Sequence, residues 1–216
     1  IFAIIFALVF VGVRDLATDE ATSFDSLQNQ GEQGVDCGPV CGKLCASEIL
    51  SLQVSVGQIF KVAEGDYDML FEVKNPNSSY GARDVQYEIS IGDTNGQLLT
   101  KQIGNFYVLP NQTFYLIKTA LKLKSEPAAP TLAIVDTDWI QVSTEDPVVD
   151  FAILGEGFLE RNGVSRYEAI VLNKSFYDFE NVDINVILHD ESGQVIGVSR
   201  TDIQTFESLQ ERGFVM

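Results

Sequence analysis

Apolar residues alternate with polar ones along much of the chain, and this spacing predicts β-strands. At positions 182–188 every second residue is apolar, and most of the residues between them are polar. A period of two is typical of a half-buried strand, whereas an amphipathic helix needs apolar spacings of three and four. Further stretches of this kind lie at 69–73, 106–109, 114–123 and 167–172, so the pattern predicts an all-β protein of many short strands.

Two stretches repeat the same pattern at an offset of 97 residues, which predicts two β-sandwich domains in tandem. Positions 80–99 align without a gap on positions 177–196, and each stretch contains a strand, a polar turn and a second strand. The turns read Asp-Thr-Asn-Gly at 93–96 and Asp-Glu-Ser-Gly at 190–193. In each turn we expect the glycine to adopt a positive φ and the aspartate carboxylate to cap the backbone.

The expected order of segments follows from these patterns. It is a partial transmembrane helix at 1–14, a polar Cys-containing stalk at 15–46, a first sandwich at 47–123, a linker at 124–130 and a second sandwich at 131–216. The linker has two prolines and two alanines, which favour a short stiff connection. Trp139, the only tryptophan, is predicted to pack in a core or between domains. By the repeat, the last strand covers 210–220, so we expect the second sandwich to be truncated and the natural chain to continue.

The first thirteen residues carry no charge, and this favours a membrane anchor. A bilayer crossing needs about 20 residues, and the chain starts with Ile1, so we expect the beginning of the helix to be missing. A buried core helix, a cleaved signal peptide and a pilin-type filament helix are the alternatives. The first is seldom apolar on every face, the second lacks a good cleavage site at 17–21, and the third usually has a glutamate where this chain has Ile5.

The three cysteines, Cys37, Cys41 and Cys45, allow one intrachain disulfide with one thiol left over, and their pairing is open. Disulfides are typical of oxidising compartments outside the cytoplasm. A zinc site is the rival interpretation, but three cysteines without a nearby histidine fall short of four ligands. Calcium is a further alternative, because Asp25, Asn29, Glu32 and Asp36 offer oxygen ligands. The same residues also suit ordinary Asx turns in a polar stalk.

The run SFDSLQNQGEQGVDCGPVC at 23–41 resembles a motif that follows the membrane anchor of many exported and surface proteins. The motif is C-x-D-G-x-x-N-x-x-E-x-G-V-D-C-G-G-x-C, and the chain departs from it at Ser23, Ser26 and Pro39. The resemblance implies a membrane-anchored surface protein. The matching residues are Asp25, Asn29, Glu32, Gly34, Val35, Asp36, Cys37, Gly38 and Cys41.

The two hairpins are similar to the FxLYD family of Ig-like domains. The naming motif falls on positions 186–190 and 89–93, where Leu188, Asp190 and Asp93 match to the letter. The resemblance implies antiparallel Ig-like sandwiches and an envelope location, and it brings no catalytic residue.

Charge and composition exclude several functions. With 31 acidic and 14 basic residues the formal net charge is −17, which disfavours nucleic acids and anionic lipid surfaces. A single histidine, His189, and the absence of phosphate-loop, dinucleotide and Gly-x-Ser-x-Gly motifs argue against an enzyme or a cofactor. Three matches to the N-glycosylation pattern start at Asn77, Asn111 and Asn173.

The sequence therefore predicts an extracytoplasmic protein that is anchored by its amino-terminal helix and has a structural or interaction role. The expected partner is another envelope or surface protein. The alternative is a ligand-binding module for calcium or a carbohydrate in an envelope, secretion or transport system. For sugar binding, Tyr80, Phe176 and Tyr177 are the candidate aromatic residues.

Fractionation of cells that make the full-length protein tests the anchor. We expect the protein in the membrane fraction, where carbonate washing leaves it and detergent releases it, because an uncharged helix partitions into the bilayer. Recovery in the soluble fraction with the apolar segment intact would contradict the prediction.

Overall fold

A computed structural model describes residues 23–29, 31–45, 48–142, 149–161 and 164–216. Its described part is almost entirely β, with twelve strands and one short 3-10 helix, and the sheets are antiparallel. The predicted helix at 1–14 lies outside the described residues. Among the residues described, no helix combines the length and the apolar composition that a membrane crossing requires. The all-β prediction is confirmed.

Contacts divide the chain into two compact units, residues 1–50 and residues 51–216, and all twelve strands lie in the second unit. The first seven are β1 (Gln53–Val54), β2 (Gln58–Ala63), β3 (Asp66–Lys74), β4 (Tyr80–Gly92), β5 (Leu98–Val108), β6 (Thr113–Lys122) and β7 (Thr131–Gln141). The other five are β8 (Phe151–Arg161), β9 (Val164–Asn173), β10 (Phe179–His189), β11 (Val195–Phe206) and β12 (Glu211–Val215).

Two sheets pack face to face in the first half of this unit. In one, β3 pairs with β6 and with β1 and β2, and in the other β4 lies between β5 and β7. Alternate side chains of β3 and β4 point into the shared core, where Met69, Val73, Val85, Ile89 and Ile91 are fully buried. A period of two places alternate side chains on one face of each strand, and here that face is buried in the core.

The boundary predicted after residue 130 needs correction. Strand β7, which was assigned to the second domain, pairs antiparallel with β4 and belongs to the first sandwich. The predicted linker connects β6 in one sheet to β7 in the other. Strand β7 joins the first sandwich because its Leu132, Ile134 and Trp139 pack against the core there. This packing removes their apolar side chains from water. The prediction that Trp139 packs in a core is confirmed.

The second half repeats the arrangement with fewer strands. Strand β9 lies between β8 and β12, as β3 lies between β2 and β6, and the hairpin β10–β11 faces that sheet as β4–β5 does in the first half. Val171, Ile203 and Phe206 form its buried core. Strand β12 covers residues 211–215, so the strand predicted from residue 210 onward is found on β9.

An apolar contact joins the two halves. Leu70 and Ile117, on the outer side of the β3 sheet, pack against Val198 of the second hairpin. Beside them, the Asn185 amide Nδ2 donates a hydrogen bond of 3.2 Å to the Tyr115 carbonyl. The hairpin β10–β11 thus packs on the outer face of the β3 sheet.

Both hairpin turns have the predicted chemistry. Gly96 and Gly193 have φ angles of 83° and 82°, which L side chains rarely adopt. The Asp93 carboxylate accepts hydrogen bonds from the backbone N–H groups of Gln97 and Asn95, and these bonds lower its pKa. The carboxylate of Asp190, in the second turn, accepts hydrogen bonds from Ser192 and from the Gln194 N–H, which likewise lower its pKa.

A buried asparagine closes the end of each sandwich. Asn75 Nδ2 donates hydrogen bonds to the carbonyls of Tyr80 (2.7 Å) and Leu109 (3.0 Å). Asn173 Nδ2 does the same with the carbonyls of Tyr177 (2.8 Å) and Glu207 (3.0 Å). Each amide ties the strand that ends at it to the connection that follows and to the turn before the closing strand.

We expect Asn75→Ala and Asn173→Ala each to lower the free energy of unfolding by about 1–3 kcal/mol, because buried backbone carbonyls lose their donor. Urea denaturation followed by Trp139 fluorescence and circular dichroism measures the effect. Asn105→Ala is the control, because this asparagine is exposed and its amide donates to the Asp84 carboxylate, and it should stay within about 0.5 kcal/mol of the parent. Equal stability of all three variants would contradict the role of the two buried amides.

Candidate interaction surface and cysteine loop

Cys37 and Cys45 form a disulfide in the first unit, and Cys41 has a free thiol. The sequence predicted one disulfide with one cysteine left over. The structure confirms this prediction and shows which cysteines pair. Both bonded cysteines are buried. The motif glycine Gly34 lies against them, and a Cβ there would lie 2.8 Å from the Cys37 sulfur. A side chain at that position would therefore push the disulfide away.

Motif carboxylates hold this loop by capping backbone N–H groups. The two oxygens of Asp36 accept hydrogen bonds from the N–H groups of Asp25 (3.0 Å) and Ser26 (2.9 Å). One oxygen of Glu32 accepts from the N–H groups of Asn29 and Asp36, both at 3.3 Å. Asp25 in turn accepts a bond of 2.8 Å from the Asn29 amide. The spacing of the motif therefore suits a loop whose own carboxylates accept hydrogen bonds from its backbone N–H groups.

The calcium alternative for this loop stays a prediction. Among the described residues, no group of three or more His, Cys, Asp or Glu side chains is placed to hold a metal ion. The carboxylates of Asp25, Glu32 and Asp36 are turned to backbone or side-chain donors. The oxygen Asn29 Oδ1 is buried without a hydrogen-bond partner in the described part of the chain, but Ca²⁺ takes six to eight oxygens.

Cys41 contacts one of the motif carboxylates. Its Sγ donates a hydrogen bond of 3.0 Å to Glu32 Oε1. Partial burial raises the pKa of the Cys41 thiol, a hydrogen bond with Ser23 lowers it, and the hydrogen bond and negative charge of Glu32 raise it. The thiolate is the nucleophile, so a raised pKa makes Cys41 a poor one.

In the second unit, the outward face of the β5-β4-β7 sheet is the candidate interaction surface. Large apolar side chains are exposed on it, with Ile103 at 82%, Val135 at 65% and Tyr107 at 64% exposure. We call this set, together with Ile140 at its end, the Ile103 face. A shallow hollow of about 450 Å³ lies between Ile103 and Val135.

Two ion pairs lie on the Ile103 face. Arg83 Nη2 lies 2.6 Å from an Asp138 carboxylate oxygen, and Lys101 Nζ lies 2.6 Å from a Glu88 oxygen. Exposed pairs of this kind contribute little to stability. Glu88 and Gln86 lie on the central strand β4 between Ile103 and Val135, so hydrogen-bonding groups stand among the apolar residues of this face. Exposed apolar residues with polar neighbours are typical of protein contact sites.

The sequence did not identify this face. Positions 103 and 107 alternate with 106 and 108, and both sets contain large apolar residues. Phe106 and Val108 are buried while Ile103 and Tyr107 are exposed, which the order of residues alone does not decide. The only signal was that β5 has apolar residues on both of its faces.

The aromatic residues considered for sugar binding do not form one site. Tyr80 is buried, whereas Phe176 and Tyr177, at the matched place in the second half, are exposed. A cleft of about 310 Å³ does lie between the halves, lined by Tyr87, Tyr115 and Arg200 among others. Arg200 is already paired with Asp183 at 2.8 Å. The carbohydrate alternative stays a prediction from the sequence.

Comparison with known proteins adds no family. No known protein family and no curated protein matches the chain. Among solved structures, it is similar to red sea bream transglutaminase with 15% sequence identity and a TM-score of 0.29, over 82% of this chain and 27% of that one. The chain thus spans about a quarter of that protein, and a likeness this weak carries no argument.

Glu32→Gln tests the environment of Cys41. Removal of the negative charge should lower the pKa of the thiol, so the pH midpoint of its alkylation should shift to lower pH and the rate below that midpoint should rise. The measurement is iodoacetamide labelling of Cys41 across a pH series, with the disulfide intact. Asp25→Asn is the control, since the residues that shift the pKa of the Cys41 thiol are Ser23, Glu32 and Asp36. An unchanged midpoint in Glu32→Gln would contradict the assignment, even if loop loosening changed the absolute rate.

Proposed function

We propose that this chain is a membrane-anchored, extracytoplasmic protein that presents two Ig-like β-sandwich domains for protein–protein or cell-surface contacts. The observation that carries the proposal is the Ile103 face. Ile103, Tyr107, Val135 and Ile140 are exposed together on one sheet and have polar neighbours, and a group of exposed apolar residues of this kind marks a contact site. Burying a side chain such as Ile103 in a partner is favourable by roughly 1.5–3 kcal/mol.

The location rests on separate support. The Cys37–Cys45 disulfide suits an oxidising compartment. The apolar start of the chain and the acidic composition suit an anchored protein at a cell surface. The resemblance of both hairpins to FxLYD-like repeats adds the Ig-like assignment and the envelope location.

The arrangement of the two halves suits a protein that presents the Ile103 face to a partner. The apolar contact around Leu70 and Val198 joins the second hairpin to the β3 sheet of the first sandwich. Ile103 and Val135 lie on the opposite sheet of that sandwich and are exposed, whereas Tyr107 also lines the cleft between the halves. The partner that we propose is another envelope or surface protein, held by apolar contact with Ile103 and Val135 and by hydrogen bonds to the polar groups among them.

A photo-crosslinking amino acid in place of Ile103 tests the proposal in cells that make the full-length protein. We expect a discrete crosslinked protein, and we expect its loss when Tyr107→Ala and Val135→Asp are added, with the melting temperature kept. Val56 is the matched control, since it is 81% exposed but lies between β1 and β2. The same crosslinks from positions 103 and 56, or none from either, would contradict this interaction surface.

A further inference from the structure

We propose that Asn111 is an N-glycosylation site of this protein, and that the folded chain carries no glycan at its two other sequence matches, Asn77 and Asn173. The inference rests on the proposed extracytoplasmic location, because N-linked glycans are added to exported chains. The pattern Asn-x-Ser/Thr is short and arises by chance, so the selection among the three comes from the structure.

Asn173 has no room for a glycan. Its side chain is 0% exposed, and its Nδ2 is the donor that holds the carbonyls of Tyr177 and Glu207. A glycosylated amide keeps one N–H, so one of these carbonyls would lose its donor, and the sugar would have to replace packed protein. A chain modified at Asn173 would therefore not complete its second sandwich.

Asn77 is excluded for the same kind of reason. It is 8% exposed, and its Nδ2 donates a hydrogen bond of 2.9 Å to the Oδ1 of Asn75, the buried residue that closes the first sandwich. Its backbone N–H bonds to the same oxygen at 3.0 Å. A sugar at Asn77 would separate these two side chains.

Asn111 differs in every one of these respects. It lies in the turn between β5 and β6, it is exposed, and its φ of 55° is one that asparagine tolerates well. Its backbone N–H bonds to the Asn77 carbonyl at 2.9 Å, and Gln112 Oε1 accepts the Leu109 N–H at 2.7 Å. Other groups therefore hold the turn, and the Asn111 side chain has no hydrogen bond within the described residues.

The modification joins Asn111 Nδ2 to the anomeric carbon of a sugar. The donor is an oligosaccharide linked through phosphate to a polyprenyl lipid. The new bond is Nδ2–C1, the bond that breaks is C1–O to the phosphate, the amide nitrogen releases one proton, and the lipid phosphate leaves with the bonding electrons. No oxidant or reductant takes part. Asn111 keeps one amide hydrogen.

The second sandwich supplies a matched turn without the pattern. Leu209 occupies the corresponding place with a φ of 57°, and Gln210 Oε1 accepts the Glu207 N–H at 3.2 Å as Gln112 does for Leu109. Leu209 is 60% exposed. The substitutions Leu209→Asn and Glu211→Thr therefore transfer the pattern to an equivalent turn, around an unchanged Gln210.

Mass spectrometry of tryptic peptides from the exported full-length protein tests the proposal. We expect a glycan on the Asn111 peptide, its release by an amidase that leaves position 111 deamidated, and unmodified peptides for Asn77 and Asn173. Thr113→Val should abolish the glycan and Thr113→Ser should retain it, while both keep the parent melting temperature. Valine suits the start of β6, where Thr113 pairs with Lys74.

The Cys37–Cys45 disulfide separates failure of the site from failure of the location. An unmodified Asn111 in protein with that disulfide formed overturns the site and leaves the location standing. Three free thiols and no glycan overturn both. In the Leu209→Asn, Glu211→Thr variant we expect a second glycan. Its absence, or a glycan at Asn77 or Asn173 in folded protein, would show that turn exposure does not select the site.

Discussion

The inward side of strand β4 is the constraint on which the rest of the structure depends. Its alternate residues Val85, Tyr87, Ile89 and Ile91 are buried, so the residues between them must face away from the core. Both neighbours of β4 follow this alternation except at register shifts, and in β7 the core side passes from Ile134 to Trp139 across such a shift. The core and the Ile103 face are therefore two results of one geometric rule. A shift of one residue in the pairing of β4 with β5 or with β7 would turn the core side chains of the shifted strand outward and its outward side chains toward the core.

Closing the sandwich leaves polar backbone groups at its ends, and the two buried asparagines satisfy them. Asn75 and Asn173 are the donors at matched places, which explains why an amide lies where a core residue would otherwise fit. One planar amide reaches two carbonyls that belong to different connections. Because they satisfy these carbonyls, Asn75 and Asn173 are buried, whereas Asn111 in the neighbouring turn is exposed.

Among the described residues of the amino-terminal unit, the buried apolar residues are Cys37 and Cys45, and hydrogen bonds to carboxylates hold the loop. Asp36 and Glu32 satisfy backbone N–H groups on both sides of the loop, and the Cys37–Cys45 disulfide closes it. Small segments generally need such covalent and polar reinforcement. The free thiol of Cys41 lies against Glu32, whose charge opposes thiolate formation.

The sequence by itself predicted the strands of the two hairpins and those at 69–73, 114–123 and 167–172, the two hairpin turns, the repeat, and one disulfide with a spare cysteine. Each of these depends on neighbours within a few residues: alternation, a glycine with positive φ, or a count of thiols. Only the tertiary structure decided that β7 belongs to the first sandwich, that Cys37 pairs with Cys45 and that Ile103 faces outward. These outcomes depend on which apolar surface is open to a strand or a side chain once the sheets have met. Since residues far apart in the chain create that surface, no local pattern records it.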